Sequence, residues 1–113
     1  MKHDRGTIEA ALRARTVGGG KCLVPYLTGG FDGYLDAIHA AAHAGADAIE
    51  VGIPFSDPVM DGPVIQEASE IALAAGATPL SIMDDLSELD VGVPLAVMTY
   101  YNIAYHMGLE RFA

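Results

Sequence analysis

Short apolar runs alternate along this chain with longer segments whose apolar residues recur at helical spacing. The runs at residues 22–28, 46–51 and 93–100 predict three strands. Pro25 lies inside the first run, although proline is unusual in a central strand. Strands that alternate with helices form right-handed βαβ units, so the sequence predicts an α/β fold with a parallel sheet.

Helical segments fill the intervals between the predicted strands. They span residues 7–15, 34–44, 63–75, 79–89 and 108 onward. Pro63 and Pro79 each stand at a first helical position, where proline is tolerated, and Thr78 is a good N-cap for the second of these helices. Residues 101–107 are predicted to form a loop.

Two architectures accommodate this alternation, an open doubly wound sheet and a closed (β/α)₈ barrel. A complete barrel takes about 250 residues, so three βα units would be less than half of one. No linker interrupts the sequence, and residues 1–113 are therefore expected to form a single partial domain. Because the last predicted helix stops without a capping signal, we expect an N-terminal piece of a longer protein.

Basic residues are concentrated at the N-terminus. Five of the six Lys and Arg residues precede residue 22, and residues 22–110 contain thirteen acids but no Lys or Arg. The formal net charge is −9. This distribution argues against a nucleic-acid partner and against an anionic membrane surface, since both are bound mainly through Lys and Arg.

The cysteine count and the apolar segments indicate a compartment. Cys22 is the single cysteine, which excludes an internal disulfide, and it is predicted to be a small core residue. No apolar stretch approaches the roughly 18 residues of a transmembrane helix, and the charged N-terminus does not resemble a signal peptide. The expected location is the cytoplasm.

Strand alternation places several functional side chains on one face of the predicted sheet. If that face lines a barrel interior, Tyr26, Glu50, Met98 and Tyr100 meet near the C-terminal strand ends, where barrel enzymes place their chemistry. Removing a carboxylate such as Glu50 from water favours its protonated form, which suits general acid–base catalysis. The alternative is a strand-end glutamate that faces water or pairs with a Lys or Arg that is missing from this chain.

Other polar side chains allow several interpretations. Asp57 and Asp61 lie four residues apart in a loop, where they could bind a metal, cap the following helix or be solvated. No His or Cys stands nearby at ligand spacing, so no metal site is predicted. His39 and His43 are more simply explained as a solvated or partly buried pair than as a metal clip.

The run from Glu50 to Pro63, followed by Ile65 and Gln66, closely resembles the signature of the tryptophan synthase alpha subunit family. Residues 23–30, 44–47, 98–102 and 108–112 resemble the flanking segments of that family in the same order. Val64 and Ile103 depart from the family pattern, which commonly has Thr and Pro there. Since the family is a (β/α)₈ barrel, the resemblance implies that fold, with this chain covering about the first three βα units.

The resemblance also implies an activity, the retro-aldol cleavage of indole-3-glycerol phosphate to indole and glyceraldehyde 3-phosphate. By position, Glu50 matches the catalytic acid/base and Asp61 the carboxylate that holds the indole N–H. Tyr26, Met98 and Tyr100 match residues that line the indole pocket.

A partner is implied as well. The family passes indole to a beta subunit that uses pyridoxal phosphate, so no cofactor is expected in this subunit and an α2β2 assembly is expected for the full-length protein. Pro54, Asp57 and Asn102 are the candidate partner contacts. The piece alone is expected to be inactive, because the phosphate-binding loops of such barrels follow strands 7 and 8.

Two rival functions remain open. One is another phosphate-binding barrel of the same pathway, although such enzymes usually carry a catalytic Lys or Cys on early strands. The other is a non-catalytic truncated chain that only docks to a beta subunit through residues 54–61.

Overall fold

Three parallel strands form a small sheet in the order β1-β2-β3, in a computed structural model that describes residues 7–112. The elements are α1 (Thr7–Val17), β1 (Tyr26–Thr28), α2 (Tyr34–His43), β2 (Ile49–Gly52), α3 (Pro63–Ala74), α4 (Pro79–Ser87), β3 (Leu95–Met98), α5 (Tyr101–Met107) and α6 (Leu109–Phe112). No helix in this part of the chain is long and apolar enough to cross a membrane.

The strand register confirms the predicted parallel sheet and decides which side chains share a face. Glu50 of β2 pairs with Tyr26 on one side and with Ala96 on the other. Two residues further along β2, Gly52 pairs with Thr28 and Met98. Because side chains alternate along a strand, these two rows point to the same face of the sheet.

The opposite face of the sheet carries the hydrophobic core. Val51 and Ile49 of β2, Ile38 of α2 and Ile82 of α4 are the largest fully buried side chains among the described residues. Tyr34 of α2 adds a hydrogen bond of 2.8 Å to the Asp85 carboxylate of α4. Helices therefore cover one side of the sheet and leave the face of Glu50 free to line a site.

The predicted helix starts agree with the structure. Pro63 and Pro79 are the first residues of α3 and α4. Thr78 caps α4, because its hydroxyl oxygen accepts from the Ser81 N–H at 3.0 Å while the Ser81 hydroxyl accepts from the Thr78 N–H at 3.0 Å. The N-cap of α3 is Gly62, with no side-chain cap bond, so Asp61 does not cap this helix.

Two predictions about residues 22–28 are wrong in detail. The strand is only Tyr26–Thr28, and Cys22 is exposed rather than a core residue. Pro25 lacks an N–H for the ladder, and the sheet continues before it only through isolated bonds such as the one from the Asp47 N–H to the Leu23 carbonyl. Cys22 instead lies beside α1, where its thiol reaches the Leu12 carbonyl at 3.5 Å.

The predicted loop at residues 101–107 is a helix, α5. Ile103 and Ala104 are buried on its inner side, and Tyr100 provides its N-cap. Most of the stability of such a short helix comes from tertiary packing rather than from intrinsic propensity. The third strand is correspondingly shorter than predicted, because it ends at Met98.

Candidate functional site

A cavity of about 290 Å³ opens at the C-terminal ends of β2 and β3, beside the Tyr26 side chain of β1. Its lining residues are Tyr26, Ile53, Met60, Asp61, Ser69, Met98, Thr99, Tyr100 and Tyr101. Four of the predicted site residues therefore meet around one cavity: Tyr26, Asp61, Met98 and Tyr100. This is the end of the sheet at which barrel enzymes carry their chemistry.

Tyr26 lies across the end of the neighbouring strand. Its ring occupies the space above the Gly52 Cα, and a methyl group added at position 52 would overlap the phenol. Only glycine at this position leaves room for the ring. The sequence placed both residues on one face, but the close approach is visible only in three dimensions.

The electrostatic environment of Tyr26 links it to both carboxylates of the site. Burial is the largest cause that raises the pKa of the Tyr26 phenol above its ordinary value of 10.0. The hydrogen bond with the Thr28 side chain acts in the opposite direction, while the negative charges of Asp61 and Glu50 raise the pKa further. The Tyr26 hydroxyl therefore stays protonated at neutral pH and can donate a hydrogen bond.

Asp61 is half-buried and is held by Tyr100. The Tyr100 hydroxyl donates to the Asp61 carboxylate oxygen Oδ2 at 3.3 Å and accepts from the Met60 N–H at 3.0 Å. The Tyr100 ring also packs on Phe55, with ring centroids 5.1 Å apart. Tyr100 thus fixes the loop as well as lining the cavity, a role that its position on the third strand did not predict.

Gln66 is a site residue whose contacts the sequence analysis did not anticipate. Its side-chain amide nitrogen Nε2 donates to the Asp61 carbonyl at 2.7 Å and to the Pro58 carbonyl at 3.2 Å. A glutamine in the first turn of a helix, directly after a loop rich in Pro, Gly and Asp, is the only sequence signal for these contacts.

Glu50 lies on β2, two residues before Gly52 at the C-terminal end of the strand. It is half-buried, and it pairs with Tyr26 across the β1–β2 ladder without lining the cavity itself. Ion pairs in residues 7–112 join Arg13 to Glu9 and Arg15 to Asp47, and Glu50 takes part in neither.

The three candidate partner contacts differ in exposure. Asp57 and Asn102 are exposed, whereas Pro54 is buried at the end of β2. The Asp57 carboxylate accepts a hydrogen bond from the Ser56 hydroxyl at 3.2 Å. Asp57 and Asn102 are thus available to another chain, and Pro54 has little surface to offer. Their role as contacts stays a prediction.

Metal-binding side chains do not cluster within the described range. Residues 7–112 contain no group of three or more His, Cys, Asp and Glu side chains placed to hold one metal ion. His39 and His43, which share the outer side of α2, are both exposed.

The fold and the site together define a class, the opening βα units of a (β/α)₈ barrel with polar side chains at the C-terminal strand ends. Within that class, the chain belongs to the tryptophan synthase alpha chain family, whose model matches residues 12–113.

Curated relatives match most of this chain but less than half of their own length. The chain is 40% identical over 111 residues to the tryptophan synthase alpha chain of Streptococcus pneumoniae, covering 94% of this chain and 43% of that one. It is 44% identical over 94 residues to the alpha chain of Lactococcus lactis subsp. lactis, covering 79% and 37%.

Solved structures agree over the same portion. Tryptophan synthase subunit alpha from Legionella pneumophila superposes with a TM-score of 0.83 at 34% identity, covering 94% of this chain and 43% of that one. Tryptophan synthase from M. tuberculosis gives a TM-score of 0.82 at 33% identity, covering 97% and 45%. The chain therefore spans under half of the structures it resembles.

Proposed function

We propose that the protein containing this chain carries out the alpha reaction of tryptophan synthase, the cleavage of indole-3-glycerol phosphate to indole and glyceraldehyde 3-phosphate. The observation that carries the proposal is the cavity that brings Tyr26, Asp61, Met98 and Tyr100 together. Glu50 lies on the same face of the sheet as Tyr26, its partner across the β1–β2 ladder, and as Met98.

Asp61 is proposed to bind the indole N–H. A carboxylate has about four acceptor positions, and the single bond from Tyr100 leaves acceptor capacity for a ring N–H. Protonation of the indole ring at C3 puts positive charge on the ring, and a fixed carboxylate beside the nitrogen stabilises that charge. The hold of Tyr100 on Oδ2 supports this role, because preorganised charges need no rearrangement during the reaction.

Glu50 is proposed to move the protons. Protonation of indole C3 and removal of the proton from the hydroxyl on the adjacent carbon allow the bond between those two carbons to break. The electron pair returns to the ring as the aldehyde of glyceraldehyde 3-phosphate forms. Glu50 is a half-buried carboxylate in the same row as Tyr26, which lines the cavity, and a carboxylate there can take part in both transfers.

The indole ring is proposed to lie against the apolar walls of the cavity. Met98 and the rings of Tyr26 and Tyr100 provide a sulfur atom and two aromatic faces. Such groups make favourable contacts with a flat aromatic ligand.

The substrate phosphate needs a binding site, and residues 22–110 provide no cationic side chain for it. Residues 22–110 contain no Lys or Arg. In barrels of this type, backbone N–H groups at a helix N-terminus after strands 7 and 8 commonly bind phosphate, and we propose that kind of site.

The partner is proposed to be a tryptophan synthase beta subunit that uses pyridoxal phosphate, in an α2β2 assembly in the cytoplasm. This subunit is proposed to need no cofactor of its own. The exposed Asp57 and Asn102 are the proposed contacts, with Pro54 shaping the loop between them and the sheet.

The test is an indole-release assay on the complete gene product, with and without a beta subunit. Glu50→Gln should lower kcat by about 10²- to 10⁴-fold, the range for a general acid–base group. Asp61→Asn should lower kcat by about 10²- to 10³-fold, the range for a preorganised electrostatic partner. Beta-subunit binding should be nearly unchanged in both variants.

Glu67→Gln is a matched control. Glu67 is exposed on α3 and does not line the cavity, so this substitution removes one negative charge outside the site. Full turnover in Glu50→Gln would remove the assigned role of Glu50. A native protein that binds a beta subunit but releases no indole would favour the docking function instead.

A further inference from the structure

The loop that carries Asp61 has little apolar packing at its tip. Val59 and Met60 are 80% and 84% exposed. Burial of these side chains therefore contributes little to the position of the loop. A carboxylate that must meet a ring nitrogen within hydrogen-bond distance needs another means of support.

Polar contacts supply that support from two directions. On the strand side, the Tyr100 hydroxyl holds the Met60 N–H and the Asp61 carboxylate. On the helix side, the Gln66 amide donates to the carbonyls of Pro58 and Asp61. These two residues are the ends of a turn, which is closed by a hydrogen bond of 3.2 Å from the Asp61 N–H to the Pro58 carbonyl.

We infer that Gln66 is a positioning residue, which clamps this turn so that the Asp61 carboxylate stays in the cavity. The effect of this clamp on catalysis rests on the proposed function. Its effect on the structure of the turn rests on the hydrogen bonds alone. Gln66 does not line the cavity, so it acts through Asp61 rather than on the substrate.

Glutamine suits this task for chemical reasons. Its amide nitrogen has two N–H donors, one for each carbonyl, whereas a glutamate has none when ionised. Asparagine would be one methylene shorter and could not span both bonds. Gln66 is itself fixed by its place in the first turn of α3, where its N–H donates to the Gly62 carbonyl at 3.0 Å.

The first test measures the clamp without any activity. In the complete gene product, hydrogen exchange of the Asp61 and Met60 amides is compared between the native protein and Gln66→Met, which keeps the length and neutrality of the side chain. We expect exchange at both amides to accelerate by about tenfold or more, the factor for losing one or two ordinary hydrogen bonds. The neighbouring variant Glu67→Gln should leave both rates unchanged.

Gln66→Glu checks that the effect is not a loss of α3. An acidic side chain in the first turn of a helix interacts favourably with the helix dipole, so α3 should persist while the two donors are lost. Circular dichroism should match the native protein, and the turnover number should fall as in Gln66→Met. Unchanged exchange in Gln66→Met, or a loss of helix in both variants, would overturn the clamp.

The second test separates positioning from a general structural role. Gln66→Met should lower kcat for indole release by about 10- to 100-fold, the cost of a misplaced reacting group, with a smaller change in KM. In an Asp61→Asn background the same substitution should change kcat by less than about twofold, because residues that act through one group are not additive. Full additivity would contradict the inference.

The two tests also keep the two proposals distinguishable. If the native protein releases no indole, the proposed function fails and the exchange measurement still decides whether Gln66 holds the turn. If indole release is normal and exchange is unaffected by Gln66→Met, the clamp fails and the proposed function stands.

Discussion

At the scale of single residues, the site depends on the absence of a side chain at Gly52. The backbone at position 52 is an ordinary strand conformation, so the requirement for glycine is the space that the Tyr26 ring occupies. Burial of the Tyr26 phenol and the negative charges of Asp61 and Glu50 raise its pKa, so the phenol stays protonated. A methyl group at position 52 would therefore displace the wall of the cavity.

Gly52→Ala tests this contact. We expect a loss of about 1–3 kcal/mol in unfolding free energy, the usual cost of overpacking, together with a lower kcat/KM for indole release. Urea unfolding of the complete gene product measures the first effect. Gly18→Ala is the control, since the nearest atom to its added methyl is the Arg15 carbonyl oxygen at 3.9 Å. Native stability in Gly52→Ala would show that the ring moves aside freely.

At the scale of elements, the first helix is attached to the sheet by polar contacts. None of the α1 side chains is buried. Arg15 of α1 forms an ion pair of 2.9 Å with Asp47, whose other carboxylate oxygen accepts from the Leu23 N–H at 2.8 Å. Asp47 therefore joins α1, the segment before β1 and the segment before β2.

The attachment of α1 should be sensitive to acid. The Leu23 N–H is the largest cause, and Arg15 the next, that lower the pKa of Asp47 below its ordinary value of 3.8. A lowered folded-state pKa means that this stabilisation is complete above the ordinary value and is lost as pH falls through the folded-state value. The protection factor of the Leu23 amide should therefore decrease as the pH falls below about 4.

Matched variants isolate that pH effect. Asp47→Asn should remove the pH dependence and expose α1 to proteolysis at neutral pH. Glu9→Gln, which breaks the exposed ion pair with Arg13, should do neither, since exposed pairs contribute little. Unaltered pH dependence in Asp47→Asn would assign the effect to another carboxylate.

At the scale of the whole molecule, the sheet of residues 7–112 has two edges. β1 and β3 each pair with β2 on one side only, and each contributes a residue to the cavity, Tyr26 from β1 and Met98 from β3. The solved relatives extend over more than twice the length that this chain matches. Unpaired strand edges favour association with other chains.

The isolated chain should therefore release no measurable indole and should associate as its concentration rises. Light scattering after size-exclusion chromatography measures the association. Adding the remaining portion of a relative, such as the Streptococcus pneumoniae alpha chain beyond its matched part, should reduce association and restore some indole release. A monomeric chain that is active alone would contradict this expectation.

Local patterns were sufficient for much of the fold. The period of the apolar residues and the turn residues predicted the order of the strands and of all helices except α5, because these signals act within a few positions of the chain. Strand alternation placed Tyr26, Glu50 and Met98 on one face, and the register confirms that placement. Pro63, Pro79 and Thr78 marked helix starts because capping is equally local.

Contacts between distant parts of the chain could not be predicted from local patterns. The helix at residues 101–107 forms because Ile103 and Ala104 find a buried surface, which propensity does not reveal. The hold of Tyr100 on Met60 spans 40 positions, and the ring of Tyr26 meets Gly52 across the sheet. Because periodicity is local, the amino-acid sequence was sufficient for the order of the strands, for every helix except α5 and for the side chains that share a face. The tertiary structure decided how the Asp61 loop is held, because that depends on where separate elements meet.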